Sequence, residues 1–344
     1  MLQTITFTII IALIAYSCYI LPIHTLLLLA TTKGISIKIQ LIATILTAVS
    51  ILYYLRSKST FILLRLFVYE GLGIGFFSLI AIGAVTIISL ITQIPPTFEW
   101  TFALIVIMVT YSTYNAKKII VKTIKIESKK VISPVSVVFV SDLHCGTNSQ
   151  THLQKIINKI NQQNPDIILI GGDLIDSSSF KISRLECFKQ FKQPIYFVTG
   201  NHEYYLKHSK KLISNLSSYN IQVLTNESVL TNGLQIIGLP DNQTIKNHKR
   251  ESNRLINPDA FSIMMVHKPK LWETIKTPPD LMLSGHTHNG QIWPFNWLVK
   301  RQFKYIYGKY NIKQSILYVS CGAATWGPKM RLGSTNEVIK IIIK

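Results

Sequence analysis

Charge is scarce in the first third of this 344-residue chain: residues 1–116 carry only Lys33, Lys38, Arg56, Lys58, Arg65, Glu70 and Glu99. The chain therefore divides into two parts that differ in kind. Acid is scarce throughout, with 16 Asp and Glu against 36 Lys and Arg, a formal net charge of +20. Most of the excess lies beyond residue 116, where 31 basic residues stand against 14 acidic ones. Such a balance disfavours basic partners. It suits anionic ones, including nucleic acid, acidic headgroups and phosphorylated substrates, without choosing among them. Cysteine is sparse as well. Cys18, Cys145, Cys187 and Cys321 form no CxxC pair, which excludes a disulfide framework and fits a reducing compartment. No internal repeat is visible.

What fills the charge-poor part is apolar sequence. Stretches at about residues 4–31, 37–55, 66–93 and 100–115 approach or exceed the ~20 residues a helix needs to cross the hydrocarbon core, so about four spans are expected. The first ten residues, MLQTITFTII, lack the basic start of a secretory signal, so the first stretch reads as a retained span. Arg56, Lys58 and Arg65 lie between spans two and three, and six lysines follow span four between Lys117 and Lys130. The segment IPPTFEW between spans three and four has no Lys or Arg, while Lys33 and Lys38 run mildly against the trend. The positive-inside bias then places both ends of the bundle, and the soluble part beyond residue 116, in the cytoplasm. Gly71 and Gly75 make a GxxxG pair that suits close helix packing, either within the bundle or between copies. His24, inside an apolar span, reads as structural.

The expected organisation is a transmembrane helical domain over 1–116, a basic linker over 117–133, and a soluble α/β domain over 134–344. In the last, VSVVFVSDLH, DIILIGGDLID and PIYFVTGNHE read as strands with polar tips, separated by helix-like segments at 151–163 and 180–192. IQVLTNESVLT, LQIIGLP, FSIMMVHKP, DLMLSGHTH, ILYVSCG and EVIKIII come after them as closer-spaced strands, which argues for antiparallel or mixed pairing there.

Polar groups gather at the strand ends. Asp142 and His144 follow one strand, Asp173 the next after Gly171 and Gly172, and Asn201 with His202 a third after Gly200. His267 ends a later strand, and His286 and His288 end another after Gly285. Loops at strand ends bring distant parts of a chain into one cleft. Imidazoles and carboxylates in such a cleft suit two divalent ions such as manganese, iron or zinc. Asp176 and Glu203 are candidates to orient ligand histidines, or else turn and surface carboxylates. Asn289 and Gln291 line the cleft or satisfy a polar loop, and His208, in a lysine-rich stretch, reads as exposed.

The ordered set DxH, GGDxxD, GNHE, a strand-end His and GHTH resembles the signature of the calcineurin-like metallophosphoesterases, from about residue 135 to 344. GHTHNGQIWPFN and GAATWGPKMRLGS look like a bacterial, membrane-anchored branch. The resemblance implies an αββα sandwich of two mixed sheets. It implies one metal held by Asp142, His144, Asp173 and His288, and a second by Asp173, Asn201, His267 and His286, with Asp173 bridging. His202 is the implied acid near the leaving group. The implied activity is hydrolysis of phosphodiester or pyrophosphate bonds by a hydroxide held between the ions, at a bacterial inner membrane. Its substrate is lipid-linked or contains a nucleotide. The rival readings are a nucleotide phosphodiesterase or nuclease, and a non-catalytic membrane sensor or scaffold. Degenerate copies usually lose ligands, and this chain keeps all of them. The sequence specifies neither the metals nor the oligomeric state.

The segment 291–310 mixes Trp293, Phe295, Trp297, Phe303 and three tyrosines with Lys300, Arg301, Lys304 and Lys309. That mixture suits a membrane interface, base stacking in a nucleic acid, or ordinary packing with a basic outer face.

Overall fold

The computed structural model describes residues 2–57 and 61–344. Lys58, one of the cations used in the orientation argument, lies outside the described residues. Two compact units divide the chain. One comprises residues 1–114 with 327–330; the other comprises 115–326 with 331–344.

The first unit is helical. Helix α1 (Leu2–Ala15) passes through a π-helical turn at Tyr16–Ile20 into α2 (Leu21–Thr31), followed by α3 (Ile37–Ser57), α4 (Ile62–Thr92) and α5 (Phe98–Asn115). Three helices, Thr4–Thr31, Ile37–Ser57 and Ile62–Thr92, are long and apolar enough to cross a membrane. The expected fourth is present as α5, but it is not among them. Glu99 and a scatter of Thr, Ser and Asn dilute its 18 residues. Gly71 and Gly75 of α4 serve packing inside the bundle: a Cβ on Gly71 would meet the Tyr19 ring, and one on Gly75 the Cys18 carbonyl. Tyr19 also donates its hydroxyl to Val68 O at 2.7 Å. His24 is structural, its Nδ1 accepting from Ile35 N at 3.0 Å.

The second unit is a four-layer sandwich. One sheet has the order β1-β12-β2-β3-β4-β5, from β1 (Ile119–Ile126), β2 (Val135–Val140), β3 (Ile167–Ile170), β4 (Ile195–Phe197), β5 (Ile221–Val223) and β12 (Asn336–Ile343). The other has the order β10-β11-β9-β8-β7-β6, from β6 (Glu227–Thr231), β7 (Leu234–Leu239), β8 (Phe261–Val266), β9 (Leu281–Ser284), β10 (Gly308–Ile312) and β11 (Ser315–Val319). Helices α6 (Gln150–Asn161), α7 (Asn201–Tyr205), α8 (Ser209–Ser214), α9 (Ile245–Leu255) and α10 (Asn296–Gln302) connect them.

Both sheets are mixed. Strands β2 to β5 run parallel, as do β7, β8, β9 and β11, while β12–β2, β6–β7 and β10–β11 pair antiparallel. Central strands covered on both faces are apolar along most of their length, and VSVVFV obeys this at every position except the half-buried Ser136. Val137 and Phe139 pack between the sheets with Ile263, Met265 and Leu283. Val138 and Val140 pack outward against Leu153, Ile156, Ile157 and Ile160 of α6. Residues 117–133 are not a linker throughout, because β1 runs through them, paired in parallel with β12. Lysines alternating with apolar residues gave this edge strand its linker-like composition.

Candidate metal centre

All the strand-end groups lie beyond the carboxyl ends of parallel strands, where α/β sheets gather their ligand-binding loops. Loops after β2, β3 and β4 come from one sheet, and those after β8, β9 and β11 from the other. Cross-sheet hydrogen bonds join them: His286 N donates to both Asp142 carboxylate oxygens at 3.2 and 3.1 Å, and Ala323 N to Ser141 O at 2.8 Å. The bends are tight. Asp142, His144, Asp173, His286 and His288 all have φ between 46° and 72°. That is the left-handed region, costly for residues with a Cβ, and such strain concentrates where the surrounding structure aims side chains at one point.

The side chains converge accordingly. Three groups have ligand atoms close enough to hold a metal ion: Asp142–His144–His288, His144–Asp173–His202 and Asp173–His267–His286. Asp173 Oδ2 lies 3.1 Å from His267 Nε2 and 4.0 Å from His144 Nε2. His144 and His288 bring their Nε2 atoms to 3.2 Å, and His286 Nδ1 lies 3.3 Å from His267 Nε2. Each of these pairs sets two nitrogens against each other, which leaves lone pairs available to a cation. The far side of two rings is held: His267 Nδ1–H donates to Gly171 O at 2.8 Å, and His144 Nδ1 lies 3.3 Å from Asp176 Oδ2. Holding one ring nitrogen as a donor leaves the other as a ligand. Asn201 Oδ1 is buried with no hydrogen-bond partner, an orphan oxygen of the kind a metal satisfies.

The electrostatics agree with that fit. Burial alone would depress every imidazole, yet Asp176 raises His144, and Asp173 lifts His267 to about 10. Burial, joined by His267 and by His144 respectively, drives His286 and His288 well below the ordinary range. Burial would raise Asp173 too, but the surrounding imidazoles, His267 foremost, hold it well below the usual carboxylate range. The carboxylates thus draw positive charge onto buried rings. A divalent cation supplies that charge and frees the nitrogens as ligands. His202, on the more open side, is pushed down to about 4 by burial and by His144.

A model described as calcineurin-like phosphoesterase matches residues 135–312. The chain belongs to that family. A metallophosphoesterase of Campylobacter jejuni is 32% identical over 263 residues, 72% of this chain and 70% of that protein. One from Helicobacter pylori is 32% identical over 237 residues, 63% of this chain and 62% of that protein. The bovine transmembrane protein with metallophosphoesterase domain is 30% identical over 238 residues, 62% of this chain and 54% of that protein. The chain thus spans between about half and 70% of these relatives' lengths.

In this calcineurin-like phosphoesterase the supporting residues divide differently from the sequence reading. Asp176 does face a candidate ligand histidine, His144, and its other oxygen accepts from Thr147 N at 2.9 Å. Glu203 is not at the surface, and its carboxylate binds backbone instead of an imidazole. It is buried and accepts from Asp173 N, Gly200 N and Ile175 N. Gln291 binds the backbone of Trp326. Arg331 escaped notice. It is fully buried and donates to Cys321 O, Ala324 O and Ser334 Oγ, with Nη2 3.3 Å from His288 Nδ1. Its only sequence signal was its place in GAATWGPKMRLGS, and one arginine among 36 Lys and Arg does not stand out.

Proposed function

We propose that this family member, a phosphoester hydrolase, is a membrane-anchored enzyme that cleaves phosphodiester or pyrophosphate bonds with two divalent ions. Asp142, His144, Asp173 and His288 hold one ion; Asp173, Asn201, His267 and His286 hold the other. The observation that carries the reading is the set of overlapping groups built from Asp142, His144, Asp173, His267, His286 and His288, with a buried, unpartnered amide oxygen on Asn201 at the start of α7. Bound there, manganese, iron or zinc ions supply Lewis acidity to water and to phosphoryl oxygens. The protein's own part is to hold that donor set rigid before substrate arrives. His202 moves the proton: a substrate phosphate beside it offsets the burial that depresses its ring, and the protonated imidazole donates to the oxygen that leaves phosphorus. Its backbone N–H, bonded to Asp173 Oδ1 at 2.9 Å, fixes the ring beside the cluster.

The test is turnover of a panel of phosphodiesters and pyrophosphates by purified protein in defined metals. Chelation should abolish activity and a divalent ion restore it, with Asn201→Ala at least 100-fold slower. An enzyme without metal-dependent turnover of any phosphoester would end the proposal and favour the sensor reading.

A specific observation supports an amphiphilic substrate. Trp293, Phe295, Trp297 and Leu298 are exposed together around the start of α10, with Lys300 and Arg301 exposed on the same helix. Aromatic and basic groups so combined match the headgroup level of an anionic bilayer. This segment comes directly after His288, so a lipid-linked phosphoester seated against it has its phosphate near the cluster. The double variant Trp293→Ser with Trp297→Ser should lose activity on a lipid phosphoester in vesicles and spare a small chromogenic diester. Equal loss on both would remove the lipid part of the proposal.

A further inference from the structure

The loop after β11, residues 320–326, supplies none of the expected metal ligands, yet it is tied down along its length. Ala323 N donates to Ser141 O at 2.8 Å and Ala324 N to Asp142 O at 3.2 Å. His152 Nε2 donates to Ala323 O at 3.0 Å, and Asn148 Nδ2 to Thr325 O at 2.8 Å. At the loop's end the Gln291 side chain grips Trp326 with both amide atoms. Trp326 N donates to Oε1 and Nε2 donates to Trp326 O, each at 2.9 Å. Gln291 is held in turn, with a left-handed backbone (φ 57°) and its carbonyl accepting from Ser334 Oγ at 2.7 Å.

This anchoring does not serve to bury the tryptophan. Trp326 keeps 47% of its surface exposed, and Tyr205, on α7, keeps 59%. Both rings neighbour His202, with centroids 5.8 Å (Trp326) and 5.5 Å (Tyr205) from the imidazole. Large aromatic rings normally gain stability by burial. Two of them kept about half exposed beside the group proposed to protonate the leaving oxygen form a pre-organised surface for something planar.

We infer that Trp326 and Tyr205 form a stacking subsite for the base of a nucleotide-containing leaving group. The inference rests on the proposed two-metal reading, which supplies the phosphate's position. The rings sit on the His202 side of the cluster, so the base lies on the side from which the product departs.

The experiment compares adenosine 5′-monophosphate with ribose 5-phosphate by calorimetry on full-length, detergent-solubilised protein loaded with manganese. The two probes share phosphate and ribose and differ in the base. The base should improve affinity by about 5- to 100-fold, the contribution of one base–aromatic stack. Trp326→Leu should bring that ratio close to one and leave ribose 5-phosphate binding unchanged, because the loop is held by backbone contacts. Trp326→Phe should retain most of it, and Tyr205→Leu should reduce it. Metal-dependent binding of both probes with no base preference would overturn the subsite alone, as would a preference that survives Trp326→Leu. Octyl phosphate gaining as much as the nucleotide through Trp326 would also overturn it, in favour of an acyl surface. If neither phosphate binds in a metal-dependent way, the two-metal reading fails and the subsite with it.

Discussion

Glu203 acts as a cross-brace. Its Oε2 accepts from Gly200 N at 2.7 Å and Asp173 N at 3.1 Å, and its Oε1 from Ile175 N at 3.0 Å. One carboxylate thereby joins the loop carrying Asp173 to the loop carrying Asn201 and His202. Glu203→Ala leaves three buried N–H groups unpaired, each costing about 1–3 kcal/mol. Thermal unfolding should show a large loss of stability, with metal content falling in parallel. Glu203→Gln keeps one acceptor and should lose less. An alanine variant with unchanged melting and metal content would show that the brace is dispensable. The strand-end placement of the seven candidate ligands was legible at this scale because each polar residue interrupts or ends an apolar run. Glu203 and Arg331 were not, since a charged residue buried by the other sheet's loops looks like any surface charge in one dimension.

Among the elements, the two sheets meet at the site through close approach of their loops, and Gly285 marks the point. It follows β9, and a Cβ there would fall against Asp142 Oδ2 and Ser141 Oγ. Those atoms cannot yield cheaply, because Ser141 Oγ already bonds Asp142 Oδ2 at 2.6 Å and His286 N holds the same carboxylate. Gly285→Ala should leave secondary structure by circular dichroism near normal while metal stoichiometry and activity collapse. Retained metal content would mean that the loops have more play than their contacts imply. The apolar central strands and the 3.6 period of α6 were readable, whereas β1 and β10 were not, and IQVLTNESVLT concealed two strands, β5 and β6, that belong to different sheets. The helix α9 was not readable either, because its inner face carries His248, Glu251 and Ser252 instead of an apolar stripe. That face is satisfied by polar contacts, such as His248 Nε2 to Pro240 O at 2.9 Å, which leave no periodic hydrophobic signal.

For the whole molecule, the open matter is the side of the membrane on which the catalytic unit works, and it turns on α5. Among the described residues three helices meet the length and composition of a span, and a three-span chain would put Arg56 and Arg65 on the side opposite the catalytic unit. Both sides would then be basic, with Arg56 and Arg65 on one and the lysines from Lys117 to Lys130 on the other. The positive-inside tendency cannot be met for both unless α5 also crosses. Its 18 residues span about 27 Å, close to the ~30 Å hydrocarbon core. We therefore propose four crossings and a cytoplasmic catalytic unit. Cysteine labelling in intact cells tests this in a Cys187→Ser background, Cys187 being the one native cysteine that is not buried. Thr97→Cys, between α4 and α5, should react with a membrane-impermeant maleimide from outside. Lys129→Cys, exposed beyond β1, should react only after the membrane is permeabilised. Labelling of both from outside would mean that α5 does not cross. The catalytic unit would then face away from the cytoplasm, and the cytoplasmic proposal would fall.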